Sequence, residues 1–274
     1  MRLGFGCVKL SACAHSSQAT STLKSAFSQG IRWFDTAPLY GQGYSEILLG
    51  KFIKTLSPSD RQSIKIVSKF GLGPWKSPKV PARLALPLNH LKKKLAPQTS
   101  DVRTKQTQTQ FTPKTYREIG IEIIQRQFFG TCERLGLDHI HGYLGHELLP
   151  SFLTDDAKKY LENLKTQGRI SSLGIGISAR HILADETEDF SDFQILQYNG
   201  DLPVQNLELI RRFKEKQHIH HSIMKSWGEP GQSAASQLKK HLRSFPEAMT
   251  LFSSSNVKHI ESNVRAINET YATD

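Results

Sequence analysis

The fold is decided by residues 35–50, which read DTAPLYGQGYSEILLG and follow a short apolar run, Ile31–Phe34. Such a run predicts a buried strand. The turn after it separates an acid, Asp35, from a phenol, Tyr40, by five residues. A carboxylate that leaves a strand can point into a site, and a phenol one turn later can face it. The phenol is then a candidate general acid, provided that a nearby cation lowers its pKa from about 10.

Seven further apolar runs have the length of a strand. The eight predicted strands are Leu3–Cys7, Ile31–Phe34, Ile64–Ser68, Ile140–Leu144, Leu173–Ile177, Phe193–Gln197, Ile219–Ile223 and Met249–Phe252. Most of them are separated by segments of helical length and period, such as Ser45–Thr55 and Thr154–Thr166. Alternation of buried strands with helices favours an α/β fold with a parallel sheet. Eight such units predict that the sheet closes into a (β/α)8 TIM barrel.

The active groups of such a barrel gather at the carboxyl ends of its strands. These ends carry Asp35 after the second predicted strand, Lys69 after the third and His146 after the fourth. Ser178 follows the fifth strand, and Gln197 ends the sixth. Neighbouring strand ends meet at one mouth of a barrel, so we expect these side chains to lie near one another.

Residues 35–50 resemble the Asp-Thr-Ala-x-x-Tyr-Gly and Ser-Glu-x-x-x-Gly signature of the aldo-keto reductases. With Lys69 and His146, the resemblance includes the whole catalytic tetrad of that family and extends from Gly4 to about Asn268. It implies an NAD(P)(H)-dependent oxidoreductase that interconverts a small aldehyde or ketone and its alcohol. Tyr40 would be the general acid/base, and the Lys69 ammonium, held by Asp35, would favour its phenolate. His146 would orient the substrate carbonyl.

The same resemblance implies where the cofactor, NADP(H) or NAD(H), binds. The matching residues are Ser178, Gln197, Ser253, Ser254, Ser255, Asn256, His259 and Asn263. The helix N-terminus and the hydroxyls after the eighth strand form a phosphate site. However, His259 stands where an Arg usually contacts the 2′-phosphate, and Ser262 where a Glu usually contacts adenine. One contact to the nicotinamide carboxamide is also missing, because Ala179 replaces an Asn, so the choice between the two cofactors stays open.

These departures from the family pattern leave a second function open. The chain could be a non-catalytic or regulatory barrel subunit that has kept the fold and has a weakened cofactor site. The short segment between the seventh and eighth predicted strands favours the same alternative. Binding of a nicotinamide cofactor distinguishes the two.

The net charge of +11 is concentrated in one segment. Residues 76–110 contain eight Lys or Arg residues and one acid, Asp101, and so hold seven of the eleven net positive charges. We expect a long basic loop at about 72–113 within a single domain that spans residues 1–274. Such a loop could be merely solvated, could attract an anionic substrate, or could contact nucleic acid or a membrane. No aromatic residue is interleaved with its basic residues, so nucleic-acid binding is disfavoured.

The cysteines and the apolar content suggest a location. Cys7, Cys13 and Cys132 are odd in number and lack metal-site spacing, so we expect a cytoplasmic protein without a metal. No apolar run reaches about 18 residues, so we expect no membrane partner. Leu10–Cys13 resembles a lipoprotein cleavage site, but the apolar stretch before it is short and is interrupted by Lys9, so we expect no lipidation.

Three histidines in or directly before the seventh predicted strand, at positions 218, 220 and 221, are candidate metal ligands. No carboxylate partner is evident near them in the sequence. We therefore interpret them as packing or surface residues.

Overall fold

A computed structural model describes residues 2–73, 78–95, 118–223 and 232–271. Its strands, β1 to β8 in chain order, are Leu3–Gly6, Trp33–Asp35, Lys65–Phe70, Ile140–His146, Ile170–Gly176, Ile195–Asn199, Gln217–His221 and Met249–Phe252. Each strand pairs in parallel with the next, and β8 pairs with β1, so the described strands form a closed barrel. The (β/α)8 TIM barrel predicted from the sequence is confirmed.

Helices surround this barrel. Those of the described residues, α1 to α10, are Ser16–Ser28, Tyr44–Lys54, Pro58–Ser63, Ala82–Leu95, Ile121–Leu135, Asp155–Thr166, Ala179–Ala184, Pro203–Arg212, Ala234–Ser244 and Val257–Tyr271. Short 3-10 helices span Cys7–Ala12, Tyr40–Gly43 and Pro150–Phe152. Local chemistry sets several boundaries. The Thr154 and Ser233 hydroxyls accept from backbone N–H groups at the starts of α6 and α9, and Gly136, with φ 66°, ends α5.

Two apolar layers hold the barrel together. The interior layer consists of Trp33, Val67, Leu144, Ile195, Ile219 and Leu251. A larger cluster fills the space between the sheet and the helices. Strands buried on both faces read as continuous apolar runs, which is why the sequence reveals them.

Polar residues lie inside three strands that we expected to end earlier. Lys69 was predicted to follow the third strand, but β3 continues through it, since Lys69 lies opposite Leu144 and Phe70 opposite Gly145 in the ladder with β4. In the same way β4 extends beyond Leu144 to His146, and β6 extends beyond Gln197 to Asn199. An apolar pattern stops at the first polar side chain, whereas the backbone ladder continues past it. Lys69, His146 and Gln197 mark the end of the barrel at which the site is built.

The predicted basic loop at about 72–113 contains a helix, α4, which the sequence analysis did not predict. Ala82, Ala85 and Leu86 are buried at helical spacing, and Pro81 precedes the first turn, where its fixed φ favours a helix. The many Pro and Lys residues of this segment obscure that spacing. Residues 74–77 and 96–113 of this segment lie outside the described residues, so their predicted loop character stays a prediction.

Within the described ranges, we find no helix that combines the length and the apolar character needed to cross a bilayer.

Candidate active site

A buried ion pair lies at the carboxyl ends of β2 and β3. Lys69 Nζ is 2.8 Å and 2.9 Å from the two carboxylate oxygens of Asp35 and donates a third hydrogen bond to the Thr36 carbonyl at 3.0 Å. Asp35 is also held by Gln197, whose Nε2 donates to Oδ2 at 2.7 Å. Buried charges need such pairing and hydrogen bonding. The pair is therefore fixed in position.

Tyr40 reaches this pair from a tight turn. Its hydroxyl lies 3.3 Å from Lys69 Nζ. The turn that follows Tyr40 uses positive φ at three successive residues, Gly41 at 59°, Gln42 at 55° and Gly43 at 92°. Glycine adopts this conformation without steric cost. The two glycines of the segment therefore let the chain turn at once from Tyr40 into α2.

The electrostatics of the phenol differ from the expectation. Burial raises the pKa of Tyr40 above its ordinary value, while the Lys69 ammonium acts in the opposite direction. Burial tends to lower the pKa of Lys69, but Asp35 and Tyr40 outweigh it and raise that pKa above its ordinary value. Lys69 thus lowers the cost of forming the phenolate, as expected. The net lowering of the phenol pKa that we expected is wrong, because burial outweighs the cation.

His146, the last residue of β4, faces Tyr40. The two ring centroids are 6.0 Å apart, and the planes are nearly perpendicular. Burial, with a smaller effect of Lys69, lowers the pKa of His146 to about 3. The imidazole is therefore neutral at physiological pH. Its Nδ1 is buried and has no hydrogen-bond partner among the described residues.

These four side chains line a cavity of about 560 Å³ at the mouth of the barrel. The predicted residues that it brings together are Asp35, Tyr40, Lys69, His146, Gln197 and Ser253. Leu251 belongs both to the interior apolar layer and to the cavity wall, so the barrel core forms part of the floor. The cavity is also lined by Lys9, Glu147, His221 and Ser222, which the sequence analysis did not identify as site residues.

Most of the other predicted cofactor residues lie outside this cavity. Ser178 is the N-cap residue of α7, and its side chain makes no capping hydrogen bond. His259 is exposed near the start of α10. Asn263, farther along α10, is buried. None of the three lines the cavity.

The segment between β8 and α10 is held by hydrogen bonds within itself and to the N-terminal part of the chain. Ser253 Oγ donates to the Gly6 carbonyl at 2.7 Å, and Ser254 Oγ accepts from the Asn256 backbone N–H at 3.0 Å. Asn256 Oδ1 accepts from the Lys258 backbone N–H at 3.0 Å. The Ser255 carbonyl accepts from Gln18 at 3.1 Å. A fixed helix start of this kind suits a phosphate group, although Asn256 already occupies one of its N–H groups.

The histidines of β7 divide between packing and the site. His218 is hydrogen-bonded to the Tyr198 hydroxyl at 2.8 Å, and His220 to His241 at 3.0 Å. His221 instead lines the cavity. Among the described residues, no three His, Cys, Asp or Glu side chains are grouped so that they could hold a metal ion.

Comparison with known proteins identifies the family. A model of the aldo/keto reductase family matches residues 2–220. The chain belongs to that family. The match ends before β8 and α10, so the cofactor segment with its departures from the family pattern lies beyond it.

Two relatives and two solved structures illustrate the range of this aldo/keto reductase family. A probable aldo-keto reductase 1 of Glycine max is 41% identical over 75 residues, 26% of this chain and 21% of that protein. An NADH-specific methylglyoxal reductase of Escherichia coli is 27% identical over 186 residues, 67% of this chain and 45% of that protein. The matches thus span less than half the length of these relatives.

The structural neighbours resemble the whole barrel. An aldo-keto reductase of Klebsiella pneumoniae in complex with NADPH has a TM-score of 0.64 at 15% identity, covering 99% of this chain and 88% of its own. The holo form of a Bacillus halodurans aldo-keto reductase has a TM-score of 0.62 at 19% identity, covering 97% and 86%. Because the identities are 19% and 15%, this similarity shows that the fold is shared.

Proposed function

We propose that this aldo/keto reductase is an NAD(P)(H)-dependent oxidoreductase that interconverts a small aldehyde or ketone and its alcohol. The observation that carries the proposal is the hydroxyl of Tyr40, 3.3 Å from Lys69 Nζ at the wall of the cavity. A phenol beside an ammonium group can give up a proton to an oxygen that gains negative charge.

Each residue of the tetrad has a physical role in this proposal. Tyr40 donates its proton to the carbonyl oxygen during reduction, and the Lys69 ammonium stabilises the phenolate left behind. Asp35 keeps Lys69 charged and oriented. The neutral His146 imidazole holds the carbonyl oxygen. A bound nicotinamide dinucleotide supplies the hydride in reduction and accepts it in oxidation.

The residues after β8 fit a dinucleotide phosphate in part. The N-terminus of α10 and the hydroxyls of Ser253, Ser254 and Ser255 are the groups that would hold it, and Ser253 connects this segment to the cavity. The Escherichia coli relative is named for NADH and the Klebsiella pneumoniae structure holds NADPH, so both cofactors remain candidates. Asn256, His259 and Asn263 would contribute from α10 and its cap, and Ser178 and Gln197 from the nicotinamide end.

We expect a nicotinamide dinucleotide to quench the tryptophan fluorescence of the protein with a Kd below about 1 mM. Titrations with NADPH and NADH, corrected with N-acetyltryptophanamide, measure this affinity. If neither ligand binds in that range, the chain is not the proposed enzyme, and the alternative of a non-catalytic or regulatory subunit is favoured. The exposed His259 and the replacement of the expected acid by Ser262 are the observations that keep this alternative open.

The same titration tests the expected 2′-phosphate contact. Lys258 and His259 are both exposed at the start of α10. If they hold a 2′-phosphate, replacing both by alanine weakens NADPH binding and leaves NADH binding unchanged. An equal change for the two ligands would assign these residues to another role.

The pKa shifts predict the pH dependence of turnover. Burial raises the pKa of Tyr40 above its ordinary value, so the phenol stays protonated at neutral pH and can donate its proton in reduction. Oxidation requires the phenolate, whose fraction rises about tenfold per pH unit below the pKa. We expect kcat/KM for reduction to stay level between about pH 6 and pH 9, and kcat/KM for oxidation to rise about tenfold per unit.

Initial rates in both directions across this pH range check the expectation. A plateau in oxidation below about pH 8 would contradict the raised pKa of Tyr40. An inflection of the reduction profile near the ordinary histidine pKa would contradict a neutral His146, whose pKa lies at about 3.

Charge and redox state support a proposal for the substrate and one for the location. An anionic substrate was suggested by the basic segment, but the cavity itself is also lined by an acid, Glu147, so we propose a small uncharged carbonyl compound.

The three cysteines are buried and unpaired, which supports the proposed cytoplasmic location.

A further inference from the structure

Glu147 is a cavity residue that the tetrad does not use. It follows His146 directly and lines the cavity. Its φ is 53°, a conformation that is uncommon for residues other than glycine. Its backbone N–H donates to the Gly176 carbonyl at 2.7 Å, so β5 fixes this unusual backbone. Backbone conformations of this kind concentrate at functional sites.

The Glu147 side chain makes no hydrogen bond or ion pair with any residue of the described ranges. It is partly buried, and burial raises its pKa while Lys69 acts in the opposite direction. Lys69 cannot serve as its partner, because its three hydrogen bonds to Asp35 and Thr36 and its contact with Tyr40 occupy the ammonium. Partly buried carboxylates need hydrogen-bond donors.

The other charged groups of the cavity wall do not supply these donors. Within the described part of that wall, Asp35 and Lys69 pair with each other, and Lys9 is exposed. The His146 imidazole is neutral. His221 and Ser222, which also line the cavity, are hydrogen-bonded to each other at 2.9 Å. Water or a bound molecule can therefore supply the donors that Glu147 lacks.

We propose that Glu147 determines the substrate specificity of the site by accepting a hydrogen bond from a hydroxyl group next to the reacting carbonyl. The inference rests on the proposed function, because it assumes that His146 holds the carbonyl oxygen. Glu147 lines the same cavity as His146, so its carboxylate can meet a substituent on the carbon next to the carbonyl. A carboxylate accepts hydrogen bonds only and repels anions, so the site selects hydroxyaldehydes over aldehydes that carry a carboxylate or phosphate.

The test compares 2-hydroxypropanal with propanal, which differ by one hydroxyl group. We expect the wild-type protein to prefer the hydroxylated substrate in kcat/KM. Glu147→Gln keeps the size of the side chain and removes its charge, and it should lower this preference by about tenfold, since hydrogen bonds to charged groups are the stronger ones. The kcat/KM for propanal and the cofactor Kd should stay within about twofold. Activity on succinic semialdehyde relative to butanal should rise.

A second variant separates the loss of the carboxylate from a change in folding. Glu147→Gly removes the carboxylate and suits the positive φ, and it should abolish the preference for the hydroxyl group. Gln42→Gly is the matched control, because Gln42 has φ 55°, is exposed and does not line the cavity. It relieves a similar backbone strain and should leave the preference unchanged.

The outcomes distinguish this inference from the proposed function. A protein that reduces no aldehyde with either cofactor contradicts the proposed function itself. A protein that reduces propanal but shows the same hydroxyl preference in the wild type and in Glu147→Gln overturns the role of Glu147 alone. Equal losses for both substrates, or a weakened cofactor Kd, would place Glu147 at the cofactor and also overturn its role.

Discussion

Replacing Tyr40 by phenylalanine is expected to lower kcat for carbonyl reduction by about 10²- to 10⁴-fold, the usual contribution of a general acid. The substitution removes one oxygen atom and keeps the ring beside His146. The Asp35–Lys69 pair keeps its own hydrogen bonds, so the site should not collapse. Because the lost proton is needed only during the reaction, cofactor affinity should be nearly unchanged.

Steady-state kinetics combined with the fluorescence titration measure both effects. Tyr44→Phe is the matched control four residues later. Tyr44 lies outside the cavity wall, and its hydroxyl donates to the Val80 carbonyl at 2.7 Å. That variant should lose a hydrogen bond and keep its turnover. Unaltered turnover in Tyr40→Phe would remove Tyr40 from the proposed acid role.

The barrel was predictable because its strands are buried on both faces. Runs such as Leu3–Cys7 and Met249–Phe252 are mainly apolar, and β8 begins and ends at the residues expected. The apolar pattern does not mark the end of a strand whose last residues are polar. Lys69 and Gln197 lie inside β3 and β6, since the interior of the barrel there faces the site and not the apolar core.

The tetrad was predictable for a related reason. In the parallel sheet, Asp35 of β2 lies opposite Val67 of β3, and Lys69 of β3 lies opposite Leu144 of β4. This register brings successive strand ends together at one mouth of the barrel. Reading strand ends in order therefore finds residues that meet in space. The pKa of Tyr40 could not be read in this way, because burial of the phenol depends on packing from several elements at once.

Glu147 and His221 show what that reading missed. Glu147 stands one residue beyond a strand end that had already yielded His146. His221 belongs to a run of histidines whose other members pack in the interior. The composition of a strand cannot tell which neighbour faces the cavity, because a single positive φ such as that of Glu147 redirects the side chain. The residues of the segment after β8 are harder still to assign from sequence, because their polar groups are engaged both with one another and with Gly6 and Gln18.

Replacing Glu46 by alanine is expected to lower the free energy of unfolding by about 3–5 kcal/mol, the cost of breaking a buried ion pair on one side. Glu46 is fully buried. Its Oε2 accepts from Arg134 Nε at 2.7 Å, and its Oε1 accepts from Ser68 at 2.7 Å and Thr131 at 3.0 Å. Removing the carboxylate leaves the buried guanidinium without its counter-charge. Urea denaturation monitored by circular dichroism measures the change.

An exposed ion pair provides the control for this effect. Lys165 and Glu162 are in contact at 3.0 Å on the surface of α6, and Glu162→Ala should change stability by less than about 1 kcal/mol. The double variant Glu46→Leu with Arg134→Met should be less destabilised than Glu46→Leu alone or Arg134→Met alone. In the double variant neither buried charge is left without its partner. Additive losses in that cycle would show that the two side chains contribute independently.

This prediction separates two roles within the segment 35–50. Glu46 joins α2 to β3 through Ser68, the neighbour of Lys69, and to α5 through Arg134. Gly50 permits the close approach of α2 to α5, because a Cβ atom at position 50 would lie 2.5 Å from the Arg134 carbonyl oxygen. The first half of the segment therefore carries the proposed chemistry, and the second half fixes α2 against the barrel. A Glu46 variant that unfolds more readily should accordingly keep the KM of the wild type under conditions in which it remains folded.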